Sequence, residues 1–175
     1  LAGVYGELPY DKARTISAIY SQRRMKAELE SFALNFSGYH GGASIGSYLC
    51  RRAGEREMEY ISFYAMVPTY DFSNLPQIGK AIRIENDFMA WYGIVRRINH
   101  MLKTRFDLTE LEEKSTKLRE MLDAKVDELD DMAPDIAVRE YMRGLAEGFE
   151  EVTFDPLENV WAQEIDRLFT DDDEG

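Results

Sequence analysis

Met58-Glu59-Tyr60-Ile61-Ser62-Phe63-Tyr64-Ala65-Met66-Val67 is the stretch on which the fold turns. After Glu59 every residue but Ser62 is apolar or aromatic, over a length that suits a strand better than a helix. Such a run without alternation is a strand covered on both faces, because a strand with one wet face alternates polar with apolar. Pro68 follows and, lacking an amide hydrogen, is expected to end the strand. Working back, Arg14 to Ser21 (RTISAIYS) is a second strand by its β-branched and aromatic content, placed after the turn-prone Pro9-Tyr10-Asp11. Between the two, Arg24 to Leu34 reads as a short helix. Ser44 caps another that runs to about Arg52, with Gly54 placed to end it. Strand, helices and strand in this order form a βαβ unit, which predicts an α/β fold: a parallel sheet with a right-handed crossover and flanking helices.

Forward of Pro68 the chain is helical. Asn86 to Leu102 spaces Phe88, Trp91, Tyr92, Val95, Ile98 and Met101 by three and four, a broad face expected to lie on the sheet. Asp107 with Glu110 forms a capping box. It opens a helix whose apolar seam is Leu108, Leu111, Leu118, Leu122, Val126 and Leu129, with Ser115 at the one weak position. Pro134 starts a return helix carrying Val138, Tyr141, Met142, Leu145 and Phe149. Asp155-Pro156-Leu157-Glu158 opens a last helix through Val160, Trp161, Ile165, Leu168 and Phe169. The expected organisation is thus an α/β core over 1–106 and a helical hairpin with a C-terminal helix over 107–175.

Charge divides at the same place. Residues 1–106 hold 14 basic and 10 acidic side chains and residues 107–175 hold 7 and 23, which together give the net charge of −12. So acidic a second half repels nucleic acid and anionic membranes, neither of which is an expected partner. The longest uncharged stretch, Ser31 to Cys50, contains four glycines and four serines and is no membrane span. Cys50 is the single cysteine, which excludes an internal disulfide and implies a reducing compartment, the cytoplasm. The three arginine pairs, Arg23-Arg24, Arg51-Arg52 and Arg96-Arg97, read as solvated helix surface.

Gly42-Ala43-Ser44-Ile45-Gly46 matches the G-x-S-x-G form of a nucleophile elbow, but that motif needs a strand running straight into the turn, and Ser37 to Gly41 are loop. Ser44 reads as a helix cap after a glycine loop. His100 sits mid-helix without a sequence partner. The histidines and Cys50 lack metal-ligand spacing, and no phosphate loop is present, so no catalytic residue, metal or cofactor is expected. The candidate binding residues are the loop Tyr39, His40, Gly41, Gly42 and Ser44, with Pro68 and Tyr70 at the carboxyl end of the sheet, where open α/β sheets bind ligands.

In order, Gly6-Glu7-Leu8-Pro9-Tyr10, the Ser37-to-Gly42 loop, the helix with Cys50, the strand end Met66-Val67-Pro68-Thr69-Tyr70, Phe106-Asp107-Leu108-Thr109-Glu110-Leu111-Glu112-Glu113 and Ile165-Asp166-Arg167-Leu168-Phe169 resemble the bacterial branch of the family typified by the second proteasome assembly chaperone. The resemblance covers essentially the whole chain. It implies a three-layer α/β core similar to nucleoside phosphorylases, with a helical appendage, and self-association. Its eukaryotic members escort proteasome α subunits. It also implies that this chain, which starts at Leu1 and not at methionine, is the latter part of the family domain. Two features depart from the pattern. Asn74 to Glu85 looks like an insertion, and Leu168-Phe169-Thr170 is not the hydrophobic-Tyr-any ending with which some archaeal relatives engage proteasomes. The function expected is that of a non-catalytic protein-interaction or assembly-chaperone-like protein, homo-oligomeric and with a possible protein client. The alternative is a ligand-binding or phosphorylase-like enzyme that takes a nucleotide or other anionic small molecule at the loop 38–44.

Overall fold

The structure is a computed structural model that describes residues 2–36, 44–76, 78, 79, 81–152 and 154. Two short strands, β1 (Ala2–Gly6) and β2 (Ile16–Tyr20), flank the long β3 (Ile61–Asp71). β1 runs parallel to β3, with Val4 opposite Met66 and Gly6 opposite Pro68. β2 runs antiparallel on the other edge, with Ile16 opposite Ala65 and Tyr20 opposite Ile61. A short β4 (Ala81–Arg83) pairs antiparallel with the far end of β3, Tyr70 opposite Ile82.

The expected α/β class with flanking helices is observed, and the expected pairing is corrected. Strands β2 and β3 are antiparallel neighbours, so helices α1 (Met25–Glu30) and α2 (Ile45–Gly54) between them are not a βαβ crossover. The parallel pair is β1 with β3. Apolar content marks a strand but carries no direction, which is why composition alone misassigns the pairing.

Pro68 does not end β3. The Met66 N–H donates to Thr15 O on the β2 side (2.9 Å), and ladder alternation points position 68 to the same side. There the β2 register has stopped at Ala65, and β4 begins only opposite Thr69, so the missing N–H costs no ladder bond. Gly54 closes α2 but is not its left-handed residue. Glu57 takes that conformation (φ 56°), and a side chain at Gly54 would meet Ser21 O at 3.1 Å.

Helix α3 (Phe88–Met101) starts where Asp87 Oδ1 accepts from Ala90 N (3.0 Å). Its buried stripe is Met89, Ala90, Ile94 and Arg97, with Trp91 exposed, so the helix is rotated away from the face expected from its aromatics. Arg97 explains the rotation. Its Nε donates to Phe32 O (2.8 Å), Nη2 to Ala33 O (2.9 Å) and Nη1 to Gly93 O (3.0 Å), serving carbonyls of a bend in which Ala33 is left-handed. Burial, and then the charge of neighbouring Arg96, pull its pKa down to about 10. One member of the arginine pairs is thus structural and not surface.

Helix α4 (Thr109–Met132) buries Ser115, Leu118, Leu122, Val126 and Leu129, the expected seam, and Ser115 Oγ donates to Leu111 O (2.6 Å). The expected capping box is replaced. Asp107 accepts from Thr109 N (2.9 Å) and Thr109 Oγ1 (2.7 Å), while Glu110 pairs with Lys114. A single 3₁₀ turn, Pro134–Ile136, leads to α5 (Val138–Glu147), whose first turn is held by Asp130 on Arg139 N (3.0 Å) and by Asp127 on the Arg139 guanidinium (2.8 Å).

Two apolar clusters result. The larger joins Val67, Tyr70, Phe72 and Ile82 to Leu118, Leu122, Val126, Leu129, Val138 and Met142, and so crosses the boundary expected at 106/107. The second gathers Ile16, Ala18 and Ala65 with Leu29, Phe32, Ile94 and Phe154. The interior also holds a buried ion pair: Arg14 Nε donates to Asp87 Oδ2 at 2.7 Å, with the two side chains 2% and 4% exposed. No helix among the described residues is long and apolar enough to cross a membrane.

Candidate interaction surface

Ser44 sits at the start of α2 in extended backbone, and its hydroxyl is committed there. Its Oγ accepts from Ser47 N (3.1 Å), Ser47 Oγ accepts from Ser44 N (2.8 Å), and Tyr64 Oη lies 3.1 Å from Ser44 Oγ. A Cβ on Gly46 would collide with Tyr64 Oη and lie 2.8 Å from Ser62 Oγ. The serine is therefore a cap, and the second glycine of the motif brings the first helical turn down onto β3. His100 belongs to another neighbourhood, edge-on to the rings of Phe32 and Phe154 at 5.7 Å from each.

The remaining candidates separate. Pro68 and Tyr70 are buried, and Tyr70 Oη donates to Leu8 O. Burial raises the Tyr70 phenol above its ordinary range, so a proton fixed on a core carbonyl is what this residue holds. Both residues are buried near the carboxyl end of β3, which runs on to Asp71. Tyr39, His40, Gly41 and Gly42 lie outside the described residues, as does the expected helix after Pro156.

Anchoring by Gly46 and the buried Cys50, whose thiol pKa burial pushes up, sets the rotation of α2. The opposite face then carries Ile45, Tyr48 and Leu49, which are 75%, 56% and 42% exposed. At spacings of three and four they form one stripe. Arg51 and Arg52 follow on the same helix, both paired to Glu55. This stripe was legible in the residue spacing once the cap at Ser44 had fixed where the helix begins. A reading that looked for chemistry at the serine passed over the side chains after it. Solvent-facing isoleucine, tyrosine and leucine together on one short helix are what a protein-binding surface offers.

A model of the PAC2 family matches residues 1–126. Among solved structures the chain is similar to a PAC2 family protein from Streptomyces avermitilis, at 18% identity and a TM-score of 0.58 over 74% of this chain and 50% of that one. It is also similar to a Mycobacterium tuberculosis protein of unknown function, at 18% identity and a TM-score of 0.58 over 95% and 48% of the two chains. A proteasome-assembly chaperone homologue of Mycobacterium tuberculosis aligns at 18% identity and a TM-score of 0.49, over 69% and 46%. At such identities the likeness is one of fold. The chain spans about half the length of each of these structures. No curated protein matches it.

Proposed function

Because this chain belongs to the PAC2 family, we propose that it is a non-catalytic, assembly-chaperone-like protein that works by presenting an apolar helix face to protein partners, further copies of itself among them. The observation that carries this reading is the stripe Ile45, Tyr48 and Leu49, held outward while Gly46 and Cys50 pin the helix from below. Covering side chains of this size contributes roughly 1.5–3 kcal/mol each, which favours association over leaving them wet. Tyrosine at the centre of such a patch is a frequent anchor of interfaces. Self-association is further supported by charge, since residues 1–106 are net positive and residues 107–175 strongly negative, so two copies have complementary surfaces to offer.

The test replaces Ile45, Tyr48 and Leu49 together by serine. Light scattering is expected to give a mass above that of one chain for the parent protein and the mass of one chain for the variant, with the circular dichroism spectrum unchanged. A parent protein that is strictly monomeric and binds no protein partner at any concentration sinks the reading.

A further inference from the structure

A cleft of about 340 Å³ opens between α3, α4 and the segment Asp11–Arg14. Arg14 lines it, and the guanidinium is committed on all sides but one. Nε is on Asp87, and Nη1 donates to Tyr10 O and Lys12 O, each at 2.9 Å. Nη2 has no partner, and among the described residues no other buried side-chain nitrogen or oxygen lacks one. A charged N–H shut away from water is among the costliest groups to leave unmet, so a lone orphan donor beside a cleft marks a place for an acceptor.

The charges around the cleft say which acceptor. Arg96, Arg97 and Arg119 also line it. Arg97 is surrounded by carbonyls and the Phe154 ring with no carboxylate on it. Neither Arg96 nor Arg119 takes part in an ion pair among the described residues. Arg14 is already balanced by Asp87 and Glu151 faces Lys12, which leaves Arg96, Arg97 and Arg119 against Asp11 and Glu112, so cations exceed acids by one in a protein of net charge −12. One negative charge completes that balance, whereas a dianion exceeds it and meets the carboxylates of Asp11 and Glu112.

We infer that this cleft binds a small, singly charged oxyanion of the carboxylate kind, with one oxygen on Nη2 of Arg14 and its charge met by Arg96 and Arg119. The volume suits a small molecule, Met89 and Val152 offer it an apolar wall, and Tyr92 and Thr116 add hydroxyls to the lining. These residues are separate from the α2 stripe, and the assignment stands or falls independently of the function proposed above.

The experiment titrates the ¹⁵N-labelled full chain with sodium acetate, balanced against sodium chloride at constant ionic strength, and follows the arginine side-chain resonances. Arg14 is assigned by the signal lost in Arg14→Lys. Its resonances are expected to move with acetate to saturation and to stay still in chloride. The double variant Arg96→Gln/Arg119→Gln, built on one part-exposed and one exposed side chain, is expected to keep its fold by circular dichroism and to weaken acetate binding about tenfold. Arg14 signals that ignore acetate, or respond equally to chloride, overturn the site. So does unchanged binding by the double variant. Sulfate binding as tightly as acetate overturns the assignment to a singly charged ligand.

Discussion

Gly46 shows how a residue in a catalytic-looking motif can be explained by packing alone. An alanine there gains about 1 kcal/mol of helix propensity, yet its methyl group runs into Tyr64 Oη and Ser62 Oγ. The tyrosine is itself held against Ser44, so either that contact or the seat of α2 on β3 must give way. Overpacking of this kind costs about 1–3 kcal/mol, and Gly46→Ala is expected to lower the urea midpoint despite the better helix former. A stabilised variant would mean that the helix does not sit tightly on the strand. Ser44 was readable from sequence because a hydroxyl before an apolar-periodic segment has one dominant use. Arg14 and Arg97 were not, because long cations normally lie on the surface and only three-dimensional placement reveals a buried one.

Among the elements, α4 was the most legible. Its buried Leu118, Leu122, Val126 and Leu129 repeat over many turns, so the seam outweighs any local ambiguity. Helix α3 is harder to read, because apolar side chains lie all round it and a buried Arg97 decides which side faces in. Strand β1 was concealed by its small residues, and β4, three residues long, by the loop-like sequence around it. The candidate site was half legible. Its helix and the Ser44 cap were found, and Pro68 and Tyr70 do lie near the carboxyl end of β3, but their burial could not be read from composition. One question belongs to this scale, namely whether residues 107–153 serve assembly or folding. If residues 107–153 were an assembly clamp alone, deleting them would change mass and nothing else. Since Leu118, Leu122 and Val126 cover Val67, Tyr70 and Phe72, the deletion is expected to abolish cooperative unfolding and to expose apolar surface to a hydrophobic dye. A soluble, cooperatively folding deletion product would count against a shared core.

Across the whole molecule, the first residues are tied to α4 through the Tyr10 hydroxyl, which donates to Asp123 Oδ1 at 2.7 Å, and to β3 through Tyr70 and Leu8. Burial raises both phenols above their ordinary value, and Asp123 raises Tyr10 further. The sign follows directly. A group whose pKa is higher in the folded state holds its proton longer there, so its contribution is complete below about pH 10 and is lost as pH climbs above it. The urea midpoint is therefore expected to fall steeply in that alkaline range, and to fall less in Tyr10→Phe. Equal slopes for the two proteins would show that the Asp123 contact does not hold the phenol.

Cys50 lies on the underside of α2, beneath the stripe that Ile45, Tyr48 and Leu49 present. It is also the one sulfhydryl in the chain. An alkylating reagent therefore has a single target, reached when that helix swings outward, and the labelling rate becomes a clock for its opening. Whatever clasps the outer side of the helix must slow that clock, although it never touches the sulfur.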